Sequence, residues 1–137
     1  MTDSERRERN KHAVREFLSS IRQLKIDYMM SFYAEDGVSE YPFHAAGMPP
    51  RFNGRKELEA FMRGIPNNFE YLGVEDIEFH DMLDPDQLWV EANGVGKTRK
   101  GKDYTNRYCI HYTLRDGKII HYREYYDPRA IRRVFVD

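Results

Sequence analysis

The feature that most constrains the fold is a run of four long segments with strand character in the second half of the chain. These segments are Tyr71 to Leu83, Gln87 to Arg99, Tyr104 to Arg115 and Lys118 to Tyr126. The breaks between them are short and rich in turn residues: Asp84-Pro85-Asp86, Lys100-Gly101-Lys102 and Asp116-Gly117. Because connections of hairpin length join antiparallel neighbours, the sequence predicts an antiparallel meander over these residues.

The first half of the chain is predicted to be mostly helical. Apolar residues recur at the spacing of amphipathic helices over Ser4 to Ile21, about Lys25 to Tyr33, and about Arg55 to Arg63. Between the second and third of these helices, Val38 to His44 is predicted to form a strand. Pro128 suits the first position of a short last helix.

Helices followed by a long meander predict a single α+β domain over residues 1–137. A sheet of such long strands twists too strongly to stay flat, so we expect it to curve into a half-open cone. The helices are expected on its concave face, and the space between them and the sheet predicts a pocket for a small-molecule ligand.

Charge and cysteine content exclude several classes of partner. The 22 basic and 23 acidic side chains leave a net charge of −1, so no overall field favours nucleic acid or an anionic membrane. Cys109 is the only cysteine, which excludes an internal disulfide. The segment from Thr2 to Lys11 is polar and charged and no apolar run follows it, so no secretory signal is predicted. No stretch approaches the ~20 apolar residues that a membrane helix needs. We therefore expect a cytoplasmic protein.

Motifs in both halves of the chain resemble one superfamily. They are Tyr33-Ala34-Glu35-Asp36-Gly37, Glu40-Tyr41-Pro42-Phe43, Gly47-Met48-Pro49, Gly54-Arg55, Asp116-Gly117-Lys118-Ile119-Ile120 and Arg123-Glu124-Tyr125-Tyr126-Asp127-Pro128, supported by Tyr104, Asn106, Arg107 and Tyr108. They resemble the SnoaL-like branch of the nuclear-transport-factor-2-like superfamily. Asp84-Pro85 and Trp89-Val90-Glu91 are similar to its phenazine-biosynthesis A/B-type members. The resemblance, from Arg9 to Phe135, implies the ketosteroid-isomerase-like cone but no single function, because isomerases, cyclases, epoxide hydrolases and binders share it.

Glu124 is the strongest candidate for a catalytic residue. Tyr122 and Tyr126 lie two residues to either side, so all three side chains share one face of a strand. A carboxyl group between aromatic rings in a partly dry pocket loses solvation, which raises its pKa and suits it to proton transfer near neutral pH. The resemblance implies the same role, because the matching Glu of the phenazine A/B-type proteins is a pocket acid/base. The alternative is a surface ion pair with Arg123 or Arg107.

Asp36 is the second candidate catalytic residue. The resemblance implies that this carboxylate borders the pocket, whereas an Asp before Gly37 is more often a plain turn residue. Six further side chains are candidates to hold a substrate through hydrogen bonds: Tyr41, His44, Tyr104, Asn106, Tyr108 and Tyr126. Alternation does not decide which strand face looks inward, because both faces carry aromatic residues.

Neither a metal nor a cofactor site is predicted. The histidines His12, His44, His80, His111 and His121 are scattered without the spacing of a zinc site. His111 and His121 lie on consecutive strands and are interpreted as an exterior or dimer-contact pair. Gly94-Val95-Gly96 sits within a strand segment and does not form a dinucleotide fingerprint.

Two kinds of function remain open on the sequence. The first is a cofactor-free isomerase, cyclase or condensation enzyme, in which Glu124 moves protons and a pocket tyrosine holds the substrate oxygen. The second is a non-catalytic binding or dimeric interaction module. Phe61 favours the second, because it stands where the phenazine A/B-type proteins carry a pocket His. In both cases, the second aromatic face of the sheet predicts a homodimer.

Overall fold

The fold is α+β, and the computed structural model describes residues 1–135. In chain order the elements are α1 (Asp3–Gln23), α2 (Ile26–Met30), β1 (Tyr33–Glu40), β2 (Arg51–Asn53), α3 (Arg55–Arg63), α4 (Ile65–Asn68), β3 (Phe69–Asp81), β4 (Gln87–Thr98), β5 (Asp103–Arg115), β6 (Lys118–Tyr126) and α5 (Pro128–Phe135). The last helix begins at Pro128, as the sequence predicts.

The strands form one curved, unclosed sheet in the order β2-β1-β6-β5-β4-β3. The predicted meander is confirmed, because β3 to β6 pair in sequence order and every one of these pairs is antiparallel. The exception to antiparallel pairing is β1, which lies parallel to β6. In β3 the register shifts between Glu75 and Glu78, where Asp76 has a φ of 54°, and such a bulge bends a strand and increases its twist.

The first strand differs from its predicted bounds. It begins at Tyr33 rather than Val38 and ends at Glu40, before Pro42. The reason is pairing with the distant β6: the Ile119 N–H donates to the carbonyl of Phe32, and this draws the chain into the sheet directly after α2. The short elements β2 and α4 were not predicted from the sequence.

Helix α1 covers the concave face of the sheet. Its start is fixed by a capping box in which the Thr2 hydroxyl accepts from the Glu5 N–H, and such a cap contributes about 1 kcal/mol. Its buried apolar face is formed by Ala13, Val14, Phe17, Leu18 and Ile21. The Phe17 ring lies 6.0 Å from the ring of Tyr122 on β6, so the helix faces the same side of the sheet as the tyrosines of that strand.

Helix α5 closes one end of the cone. It buries Ala130 and Val134, and the ring of Phe135 packs edge-on against Phe69 at 5.5 Å.

Among residues 1–135, no helix is both long and apolar enough to cross a membrane.

Candidate functional site

A cavity of about 390 Å³ lies between the concave face of the sheet and the helices. This volume falls in the ~300–1,000 Å³ range of small-molecule sites. Its wall is mainly apolar, with Leu18 and Ile21 from α1 and Phe61 and Met62 from α3. The polar groups in the wall are Tyr41, Tyr104, Tyr108, Tyr122, Tyr126, Glu124, Asn67 and Asn68. The predicted pocket is therefore present, and its inward strand face carries the tyrosines.

Glu124 supplies the carboxyl group of the cavity. It lies on β6 with Tyr122 and Tyr126 on the same face, and the Tyr122 hydroxyl donates a hydrogen bond to the Glu124 Oε1. Burial raises the pKa of Glu124 to about 7, and the hydrogen bond from Tyr122 acts in the opposite direction. This carboxyl group can therefore gain or lose a proton near neutral pH.

The competing ion-pair interpretation of Glu124 is not supported. Within the described part of the chain, no Lys, Arg or His nitrogen lies within 4.0 Å of its carboxylate. Arg123 points to the other face, where its guanidinium lies 5.8 Å from the ring centres of Trp89 and Tyr125. Arg107 is exposed. The placement predicted for Glu124 is found, and its catalytic role stays a prediction.

Asn106 organises the hydrogen bonds at one end of the cavity. Its Oδ1 accepts from the backbone N–H groups of Arg107 and Asp127, at 2.8 and 2.9 Å. Since these two donors fix which side-chain atom is oxygen, the Nδ2 must be the donor to the Asp127 carbonyl at 3.0 Å and to the Tyr104 hydroxyl at 2.9 Å. The Tyr104 hydroxyl in turn lies 2.9 Å from that of Tyr108.

This network gives the tyrosine hydroxyls a direction. Tyr104 is buried and its oxygen accepts from Asn106. Either hydroxyl can be the donor between Tyr104 and Tyr108; we assign Tyr104 as that donor, which leaves the Tyr108 O–H free to donate into the cavity. Burial raises the pKa of Tyr104 to about 12 and that of Tyr108 well above its usual value, so both remain neutral donors.

Gly94 on β4 makes room for the Tyr108 ring. A Cβ at Gly94 would lie 2.6 Å from the Cε2 and Cζ atoms of Tyr108, closer than van der Waals contact permits. The tyrosine can therefore lie over the neighbouring strand only because position 94 has no side chain.

Replacing Gly94 with Ala is expected to destabilise the protein by about 1–3 kcal/mol, because the Tyr108 ring must move in a packed wall. Urea denaturation measures this loss. Gly73→Ala is the comparison variant and should cost less, since a Cβ there would lie 3.0 and 3.1 Å from the Cδ and Cβ atoms of Arg22, a milder overlap than at Gly94. Wild-type stability of Gly94→Ala would show that Tyr108 is not held over β4.

Tyr126 connects the cavity to the loop after β1. Its hydroxyl accepts from the Ala45 N–H at 2.8 Å, and the two ends of the loop are joined where the Tyr41 N–H donates to the Pro50 carbonyl at 2.9 Å. Tyr41, together with Met48 and Pro49 of this loop, lines the cavity. Because the Tyr126 oxygen accepts from the loop, its own proton remains available to a ligand.

Two predicted site residues lie outside the cavity wall, and a third lies behind it. Asp36 is exposed and its carboxylate pairs with Arg115 at 2.9 Å, which lowers the pKa of Asp36. The expectation that Asp36 borders the pocket is therefore corrected. His44 is likewise exposed on the loop and does not line the cavity. Asn106 orients Tyr104 from behind the wall rather than contacting the cavity directly.

Some contacts were not anticipated from the sequence. The hydrogen bond from Tyr122 to Glu124 is one of them, although the two-residue spacing places both side chains on the same strand face. On the outer face, sheet register brings together Glu78, His80 and Glu91, with the His80 Nε2 at 2.9 Å from the Glu91 Oε2. All three side chains are exposed, and their spacing in the sequence does not form a recognisable motif. They are therefore not part of the candidate site.

Solved structures share this architecture. A proposed isomerase from Bacillus subtilis matches with a TM-score of 0.87 at 21% identity, covering 98% of this chain and 96% of that one. A phenazine biosynthesis-related protein from Pseudomonas aeruginosa matches with a TM-score of 0.80 at 22% identity, covering 96% and 88%. Likeness at this level of identity shows the fold, which is the nuclear-transport-factor-2-like cone that the sequence predicts.

Sequence comparison identifies the family. An uncharacterized PhzA/B-like protein of Pseudomonas aeruginosa is 35% identical over 96 residues, which are 68% of this chain and 66% of that protein. This chain thus spans just under two thirds of the relative's length. The sequence profile of the SnoaL-like domain matches residues 14–122, which include most of the cavity wall and Tyr122. The chain therefore belongs to the SnoaL-like domain family.

Proposed function

We propose that this protein is a cofactor-free acid/base enzyme that moves a proton on a small cyclic or carbonyl-containing substrate, as an isomerase, cyclase or condensation catalyst. The observation that carries the proposal is the Glu124 carboxyl group, which titrates near neutrality inside an apolar cavity. Acid/base groups work best when their pKa lies near the working pH. The likeness to a phenazine biosynthesis-related protein and to a proposed isomerase supports the same class of chemistry.

In this mechanism Glu124 acts as base and then as acid. Its carboxylate removes a proton from the carbon next to a substrate carbonyl, and the electron pair moves onto the carbonyl oxygen. The neutral hydroxyls of Tyr108 and Tyr126 donate hydrogen bonds to the negative charge that develops there. Protonated Glu124 then returns the proton to the same or another carbon, which isomerises the substrate. The intermediate can instead attack an electrophilic carbon before the proton is returned.

Hydrogen–deuterium exchange tests the proposal with a simple probe. The protein is incubated with 2-tetralone in D₂O, and the signals of the α-hydrogens are followed by NMR. We expect exchange faster than in buffer, and we expect the acceleration to disappear in Glu124→Gln. Binding of 2-tetralone without any acceleration over buffer would contradict the acid/base function.

Replacing Tyr108 with Phe is expected to weaken 2-tetralone binding about 3- to 10-fold, because one hydrogen bond to the ligand oxygen is lost. Isothermal titration calorimetry measures the change. Tyr71→Phe serves as the control, since Tyr71 lies outside the cavity and packs with Arg22. If Tyr108→Phe and the wild type bind 2-tetralone with equal affinity, the Tyr108 hydroxyl does not donate a hydrogen bond to the ligand.

A non-catalytic ligand-binding protein is the second candidate. The observation that favours it is Phe61, which lines the cavity and packs on Phe52 at 5.0 Å. An apolar ring at this position adds contact area but no proton donor or acceptor. Tight binding of 2-tetralone together with unaccelerated exchange would support this candidate.

We also propose that the protein is a homodimer in the cytoplasm, with the second copy packed on the outer sheet face. That face carries the half-buried rings of Trp89 and Tyr125 beside the buried His111, and the ring of Phe43 contacts Tyr125 at 5.6 Å while staying 64% exposed. A large exposed ring that extends a partly exposed aromatic surface is typical of an interface. The single thiol of Cys109 is compatible with a reducing compartment.

Sedimentation at micromolar concentration is expected to give twice the mass of the 137-residue chain. Phe43→Glu is expected to give the monomer mass, because a charge at the interface must be buried without a partner. Leu83→Glu is the control, since Leu83 is fully exposed on the turn between β3 and β4. A wild-type protein that sediments only as a monomer would contradict the dimer.

A further inference from the structure

The cavity wall carries no positively charged side chain within residues 1–135. Apart from Glu124, its side chains are apolar, phenolic or amide. The arginines of the strands that carry Tyr108 and Glu124 lie elsewhere. Arg107 is exposed, Arg115 pairs with the exposed Asp36, and Arg123 lies over Trp89 on the outer face. A carboxylate or phosphate group inside the cavity would therefore have no cation to pair with.

Burial makes the absence of a cation decisive for ligand choice. An anionic group that leaves water for an apolar cavity loses its hydration, and without an opposite charge the tyrosine hydroxyls offset only part of that loss. Above neutral pH it also meets the ionised Glu124, and like charges at close range repel strongly where water is excluded. Both effects act against anionic ligands and leave uncharged ones unaffected.

The available hydrogen-bond donors suit a neutral oxygen. Tyr108 and Tyr126 are directly opposite each other on β5 and β6. The Tyr126 oxygen accepts from the Ala45 N–H, and with Tyr104 assigned as the donor the Tyr108 oxygen accepts from Tyr104, so each proton is free to donate to a ligand. Two neutral O–H donors match a carbonyl or phenolic oxygen, and the aromatic wall matches a ring system.

We infer that the ligand is an uncharged aromatic or alicyclic ketone or phenol, and that the cavity discriminates against molecules that carry a carboxylate or phosphate. The inference rests on the proposed function and gives its proton-transfer step a substrate class. A neutral ketone has an acidic carbon for Glu124 and an oxygen for the two tyrosines.

Two probes of the same shape but different charge test this preference: 2-acetylnaphthalene, which is a neutral ketone, and 2-naphthoate. Calorimetry on the full-length wild-type protein at pH 8 is expected to show at least about 10-fold weaker binding of naphthoate. At pH 5.5 naphthoate is still ionised but Glu124 is protonated, so the difference between the probes should narrow. The Glu124→Gln variant should show a smaller difference in affinity between the two probes than the wild type at pH 8.

The pH effect can be assigned to Glu124 because, among residues 1–135, the other ionisable groups that face it do not titrate between pH 5.5 and pH 8. They are tyrosines with raised pKa values, contributed by β5, β6 and the segment after β1: Tyr41, Tyr104, Tyr108, Tyr112, Tyr122 and Tyr126. Helices α1 and α3 face the cavity with apolar side chains.

Each outcome of the probe experiment has a distinct meaning. Equal or tighter binding of naphthoate at pH 8, with displacement by the ketone, would overturn the preference for neutral ligands and leave acid/base catalysis possible. Naphthoate that the ketone does not displace is bound outside the cavity and supports the preference. If the ketone binds but its methyl hydrogens do not exchange with D₂O, the proposed function fails and the ligand preference stands. Failure of the ketone to bind would overturn both.

Discussion

Replacing Glu124 with Gln is expected to lower any proton-transfer activity by ~10²- to 10⁴-fold, the range typical of a lost acid/base. The amide keeps the shape of the side chain and can still accept the hydrogen bond from Tyr122, so the fold should be kept. Exchange of 2-tetralone α-hydrogens in D₂O measures the activity, and circular dichroism measures the fold.

A matched variant separates this effect from the general loss of a carboxyl group. Glu70→Gln makes the same chemical change at an exposed position of β3, outside the cavity, and should exchange 2-tetralone at the wild-type rate. Wild-type exchange by a folded Glu124→Gln protein would remove Glu124 from the mechanism and leave the binding protein as the better account.

The second large effect concerns stability and pH. The pKa of Glu124 is raised by burial from 4.5 to about 7 in the folded protein. Between these two values the folded protein holds a proton that the unfolded chain has released, so the free energy of unfolding falls as pH rises through this window. Below pH 4.5 the penalty is absent, and above pH 7 it reaches about 3 kcal/mol.

Glu124→Gln removes the titrating group and therefore this penalty. Relative to the wild type, the variant should gain about 3 kcal/mol of unfolding free energy between pH 4.5 and pH 8. Urea denaturation of both proteins across this range measures the difference between their unfolding free energies. Contributions from the histidines are common to both proteins and cancel in this difference. Glu70→Gln should follow the wild-type profile. A constant difference between Glu124→Gln and the wild type would mean that Glu124 is not desolvated.

The fold was predictable where the signal was local. Long alternating segments and turn residues such as Asp116-Gly117 define β3 to β6, and Pro128 marks the start of α5. The start of β1 was missed because Tyr33 joins the sheet through parallel pairing with Ile119 of β6, 86 residues later. The three residues of β2 and four of α4 are too few to show a periodic pattern.

The site was predictable for residues that share one strand and not for those placed by distant partners. Two-residue spacing was sufficient to place Glu124 between Tyr122 and Tyr126. The position of Asp36 depends on Arg115, which reaches it from a strand far along the chain. The direction of the tyrosine hydroxyls depends on Asn106 meeting the backbone of Asp127. Such contacts across the sheet leave no periodic trace in the sequence.

The most direct test of the account is the pKa of the Glu124 side chain. Protein labelled with ¹³C at the glutamate Cδ is titrated by NMR, and the Glu124 signal is identified by its disappearance in Glu124→Gln. We expect a midpoint near pH 7, because burial raises the pKa of this carboxyl group and no cation of residues 1–135 lies within 4.0 Å of it. A midpoint near pH 4.5, as for an exposed glutamate, would contradict it.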